Sequence, residues 1–164
     1  MDIQVTASDV RRAQEVLTLM RAFIQEQASG NELLGRMMGG LHFGQSTVEM
    51  EIGGRRQRVS KDVAGAAAKM GGLAEQWQQE FGRDFLPPAL DLLAQWLEDF
   101  RTRSPVTIAL VSARDASIAI ASARRPRQIV HLGVVLLALN SLDLATEEVH
   151  MAMDRREEVR LKPV

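Results

Sequence analysis

Val106-Thr107-Ile108-Ala109-Leu110-Val111, Ser117-Ile118-Ala119-Ile120-Ala121 and Ile129-Val130-His131-Leu132-Gly133-Val134-Val135-Leu136-Leu137-Ala138-Leu139 are the apolar runs of one stretch, Val106 to Leu144, and their reading decides the fold. Arg114-Asp115 and Arg124-Arg125-Pro126-Arg127 interrupt them. In the first two runs β-branched residues alternate with small ones, which favours strands over a helix. Strands over 106–112 and 117–122, turning at Ala113 to Ala116, are the resulting expectation. The alanines on the face opposite the isoleucines predict a helix lying close against it. Residues 128–139 are apolar nearly all round. They fit a buried helix or a central strand, and periodicity does not separate the two.

Upstream, Pro87-Pro88 opens a helix over about 87–102, since proline suits a first helical turn, where its missing amide hydrogen is no loss. Leu90, Leu93, Trp96, Leu97 and Phe100 form its buried face, Arg101 and Arg103 suit its C-terminal end, and Ser104-Pro105 stops it. Before it, Ser60 caps a helix over Lys61 to Phe81. Gly71-Gly72 inside that helix predicts a kink or a closely approaching backbone, because each glycine costs roughly 1 kcal/mol against alanine. Thr47 to Ile52 alternates polar and apolar residues, and Gly53-Gly54 turns it into Arg55 to Ser60, a hairpin. Val10, Ala13, Leu17, Met20, Ile24 and Ala28 make one apolar stripe of a helix from Ser8, read as the N-cap, to Ala28. Gly30 ends it, Asn31 caps a short helix through Met38, and 39–44 is a glycine-rich connection. Residues 3–6 read as a short strand. The tail, 145–161, fits a hairpin turning at Asp154 to Glu157 or a helix, and the reading favours a helix ending near Leu161. Together these elements predict an α+β fold. Residues 1–164 form one globular domain, with three or four helices packed on a small antiparallel sheet with two hairpins.

Composition narrows the function. Hydrophobic residues at 46% and charged residues at 25% are the mixture of a soluble globular protein. The net charge of −1, from 20 basic and 21 acidic residues, argues against a surface devoted wholly to nucleic acid or membrane. There is no cysteine, which excludes a thiol nucleophile, a disulfide and a cysteine zinc site. Ile129 to Leu139, the longest apolar run, is about half of the ~20 residues that a membrane helix needs. With no signal-peptide pattern at Met1 to Val5, the expectation is a cytoplasmic protein without membrane partners.

Five constellations carry candidate chemistry. Arg55-Arg56-Gln57-Arg58 and Arg124-Arg125-Pro126-Arg127 lie at or beside turns, and guanidinium forks hold phosphates or carboxylates. Arg55, Arg56, Arg58, Arg124, Arg125 and Arg127 are therefore the candidates for a partner or phosphate site, against the plainer reading that they keep edge strands soluble. With no tyrosine in the chain and both tryptophans on helical core faces, a base-stacking platform is not indicated. Glu147 and His150 have the Glu-x-x-His spacing of di-iron bundles but lack its second copy, so no metal is assigned. His131, inside an apolar run, reads as a core histidine bonded to a backbone carbonyl. The 39–44 loop matches neither glycine motif for phosphates. Met37, Met38, Met151 and Met153 offer adaptable apolar contact surface.

No catalytic residue and no cofactor is assigned. The leading expectation is a non-enzymatic protein–protein interaction module, such as an adaptor, inhibitor or accessory subunit, with a protein partner or itself as an oligomer. The alternative is nucleic-acid or nucleotide-phosphate binding through the two arginine turns. An enzyme with a site assembled from His42, His131 and Glu147 ranks third.

Overall fold

A computed structural model describes residues 1–27, 42–43, 46–52 and 55–164, the side chains of 26–27, 42–43 and 51–52 excepted. In chain order the elements are β1 (Asp2–Val5), α1 (Ala7–Gln27), β2 (His42–Phe43), β3 (Thr47–Ile52), β4 (Arg55–Ser60), α2 (Lys61–Phe81), α3 (Leu86–Arg101), β5 (Val106–Ser112), β6 (Ser117–Ser122), β7 (Arg125–His131), α4 (Leu132–Ser141), α5 (Glu147–Asp154) and β8 (Val159–Pro163). The class is α+β, as expected. The detail differs: five helices are described, and the large sheet is mixed, not antiparallel throughout.

The large sheet has five strands in the order β1-β8-β5-β6-β7. β1 runs parallel to β8, and the remaining pairs are antiparallel. The small sheet has the order β2-β3-β4 and is antiparallel. Both expected hairpins form, at the expected strand limits. α3, α4 and α5 touch the large sheet, α1 and α2 pack against α4, and α2 touches the small sheet. The predicted helix through Met38 and most of the 39–44 connection lie outside the described residues.

The ambiguous run 128–139 resolves into both readings in turn. It is strand to His131 and helix from Leu132. His131 is the N-cap of α4, its Nδ1 accepting from the Gly133 N–H at 3.1 Å. It is thus an acceptor at a helix start, not a donor to a carbonyl. α4 is buried almost all round, from Gly133 through Leu139. An apolar face in every direction needs neighbours in every direction, and α1, α2, α3, β6 and β7 supply them.

The tail also departs from the favoured reading. A single helix to Leu161 is replaced by α5, capped by Thr146, and then β8. Val159 and Leu161 are buried in the core, where β8 lies between β1 and β5. At the other end of the chain Thr6, not Ser8, caps α1. Its Oγ1 accepts from the Asp9 N–H while the Asp9 carboxylate accepts from the Thr6 N–H, a reciprocal pair that satisfies two free donors. Arg12, only 16% exposed at its side chain, lies 3.6 Å from both Asp62 and Asp143 and so ties α1 to α2 and to the loop after α4.

Two glycines now part company. α2 runs unbroken through Gly71-Gly72, and a Cβ on Gly72 would meet nothing within 4 Å. Gly133 is the opposite case. A Cβ there would overlap the Phe85 ring, with Cζ at 2.8 Å. That ring is held by Trp77, Phe81 and His131, with centroids 6.3, 5.8 and 5.0 Å away, so it has little room to turn. Gly72→Ala should therefore stabilise the protein by up to about 1 kcal/mol through helix propensity. Gly133→Ala should destabilise it, since overpacking of about 1–3 kcal/mol outweighs the helical gain. Chemical denaturation of the two variants checks this. Equal shifts of the same sign would contradict it.

Candidate functional site

The arginines of the β6–β7 turn point back into the protein. Arg125 Nε lies 3.5 Å from Asp99 Oδ1, and Arg124 Nη1 lies 4.0 Å from Glu98 Oε1. Asp99 is 1% exposed. Both acids stand in the last turn of α3, where the helix dipole disfavours negative charge, so nearby cations are required to keep them there. Arg101 adds a bidentate pair to Glu98, at 3.0 and 2.6 Å. That hydrogen bond, aided by the charges of Arg101, Arg124 and Arg125, holds the Glu98 carboxyl below its ordinary range. Arg127, further along β7, is exposed.

Asp99 Oδ1 and Arg125 Nε are buried without a hydrogen bond, as are Trp96 Nε1 and Ser122 Oγ. Asp99 and Arg125 thus meet as charges, with poor hydrogen-bond geometry.

The other arginine turn belongs to the other sheet. Arg58 Nε lies 3.4 Å from Glu49 Oε1 on β3, and Arg56 stands in register with Glu51. Arg55, Arg56 and Arg58 are all exposed. The two arginine clusters therefore sit on separate sheets, each facing its own acids.

The remaining candidates divide by burial. Met151 is 42% exposed, whereas Met153 is 4% exposed and part of the core. Two helical positions apart, the pair must point to different sides of α5, so Met153 offers no contact surface. Met37 and Met38 lie outside the described residues. Glu147 and His150 are exposed. His42 lies in β2, and its side chain is not described. Among the described residues no three His, Cys, Asp or Glu side chains are grouped to hold a metal. Among the described residues no helix is long and apolar enough to cross a membrane. His131 borders a hollow with Asp91, Gln95 and Gln128, where the Gln128 amide donates to the Gln95 oxygen at 3.1 Å. Its ring is packed against Phe81 at 4.8 Å.

Two surfaces escape a reading of the sequence. The first is the face of the large sheet turned away from the helices. Ala109, Ala119 and Ile129 stand in register across β5, β6 and β7, with Thr107 and Ala121 in the next row. Ala119 is buried yet is no part of the hydrophobic core, while Ile129 is 55% and Val111 48% exposed. The predicted helix over these alanines is not there among the described residues. Small side chains fit a close neighbour, but the sequence does not say whether that neighbour is in the same chain.

The second is a cleft of about 560 Å³ between α1 and β4. α1 contributes one face, including Arg11, Glu15, Thr18 and Leu19, and β4 contributes Gln57, Arg58, Val59 and Ser60. Alternate residues of a strand face opposite ways, so four consecutive ones line a cleft only where the strand's edge opens into it. The cleft has no local sequence signal, because it is made by elements far apart in the chain.

Compared with models of protein families, with curated proteins and with solved structures, the chain finds no match.

Depressed carboxyls add stability above their ordinary range and lose it as pH falls through the folded value. Glu98 is one such group and Asp2, hydrogen-bonded by Lys162, is another. In Arg101→Gln the Glu98 carboxyl should titrate at higher pH than in the parent, with Asp2 unchanged, by carboxyl-carbon NMR. An unmoved Glu98 would show that Arg101 is not what holds it.

Proposed function

We propose that this chain is a non-enzymatic protein–protein interaction module that works by contact and assembles with a second copy of itself. The uncovered apolar face of the large sheet carries this reading. A knob, Ile129, stands beside two small hollows, Ala119 and Ala109, in one row. A twofold axis running along the strands above Ala119 would set Ile129 of each copy over Ala109 of the other. Sheets pack face to face about 10 Å apart through interdigitating side chains, and alanines leave room for that. The cations nearby, Arg127 and Arg160, are off the row and exposed.

Strands β5, β6 and β7, about 4.8 Å apart and of some six residues each, offer roughly 300 Å² of apolar face per copy, while β8 and β1 carry Arg160, Lys162, Asp2 and Gln4 on the same face. A standard interface takes about 800 Å² per partner, so the association is expected to be weak, in the micromolar range. Phosphate binding draws less support. Arg124 and Arg125 already face Glu98 and Asp99 within the chain, and the arginines of β4 lie on the other sheet.

Sedimentation velocity over a range of concentrations tests the reading. The parent should pass from monomer to dimer, and Ile129→Glu should remain monomeric with an unchanged circular-dichroism spectrum. A parent that stays monomeric to millimolar concentration, or an Ile129→Glu dimer as tight as the parent, would overturn it.

A further inference from the structure

β4 is an edge strand, and its edge is the wall of the α1 cleft. Among the described residues no backbone hydrogen bond reaches Gln57, Arg58 or Val59 from that side. An edge of this kind is a template for another strand. The cleft floor is apolar, with Leu19 at 4% and Val63 at 2% exposure. Arg11 stands near the Ser60 end, since its neighbour Arg12 reaches Asp62 just beyond it, and Arg58 stands further along the strand. Glu15 is the single acid in the lining among the described residues.

We propose that this cleft takes an extended, acidic segment of another protein as a fourth strand of the small sheet, lying between β4 and α1. The proposal rests on reading the chain as a contact protein but uses a surface separate from the dimer face. Four residues of β4 line the cleft, about 13 Å of strand at about 3.3 Å per residue, and the volume falls in the range of well-formed ligand sites. Main-chain pairing supplies affinity in this mode, and the side chains of alternate residues supply specificity. One face of the guest should be apolar, to meet Leu19 and Val63, and carboxylates near its ends should meet Arg11 and Arg58.

A second copy is a poor guest at this edge. Pairing β4 with β4 would gather Arg55, Arg56 and Arg58 of both copies along one seam, and like charges close across a strand pair are destabilising. The charge of the edge therefore selects against itself and for acidic strands.

The probe is a synthetic eight-residue peptide of alternating valine and threonine with glutamates near both ends, titrated into the full ¹⁵N-labelled chain at low salt. The expected result is saturable binding with amide shifts gathered on residues 57–60 of β4 and 11–22 of α1. A lysine-for-glutamate peptide, a backbone N-methylated peptide, and the variants Arg11→Glu and Arg58→Glu should each bind at least tenfold more weakly. Arg58 is 77% exposed at its side chain and Arg11 is exposed, so both variants should keep the fold. The monomeric Ile129→Glu chain should bind the peptide as the parent does, which separates failure of the cleft from failure of the dimer. No binding at millimolar peptide, binding that survives N-methylation, or shifts confined elsewhere would overturn the proposal. So would a single-stranded oligonucleotide shifting these residues where the peptide does not.

Discussion

Burial of α4 on every side is the constraint from which the rest of the architecture follows. A helix with an apolar stripe can lie on a surface, but Leu132–Ser141 has no polar face to offer water. Each of its large side chains gains about 1.5–3 kcal/mol by full burial, so the helix is stable only where neighbours enclose it. Four other elements meet that need around it, together with the strand that leads into it. Its few polar atoms are satisfied locally. The Ser141 hydroxyl bonds the Leu137 carbonyl oxygen at 2.9 Å and contacts the Met70 sulfur, and the His131 ring covers a free amide at the start.

Much of this was legible in the residues. Alternation placed β3, β5 and β6, the Gly53-Gly54 pair placed β4 as the returning strand, the Pro87-Pro88 pair placed α3, and Ser60 placed the start of α2. What was not legible depended on partners far away. The strand-to-helix change at His131 lies within one continuous apolar run, where composition is the same on both sides. β8 owes its conformation to β1 and β5, so nothing near Val159 and Leu161 decides between helix and strand. The cap of α1 is the exception, because Asp9, three positions on, completes with Thr6 a reciprocal pair that the local sequence carries.

The candidate site was less legible than the fold, for a related reason. Arginine clusters are conspicuous in a sequence, but the acids that face them are not adjacent. Glu98 and Asp99 reach Arg124 and Arg125 only because the β6–β7 hairpin folds over the end of α3. Conversely, alanines at 109, 119 and 121 look like packing positions, and their open face emerges only once the helices are seen on the other side. Met151 and Met153 were alike as residue types, and helical direction alone parted them.

These features divide the molecule into an enclosed interior and a rim of exposed side chains and backbone. The buried charges and the half-buried His131 serve the interior, while the open sheet face and the strand edge are left to the rim. Native-state hydrogen exchange examines that division. The amides of Val135 to Leu139 should exchange only through global unfolding, with opening free energies that match the denaturation value and fall with it in denaturant. If those amides instead open by a local route several kcal/mol below the global value, α4 is not the enclosed centre, and the assignment of work to the rim loses its basis.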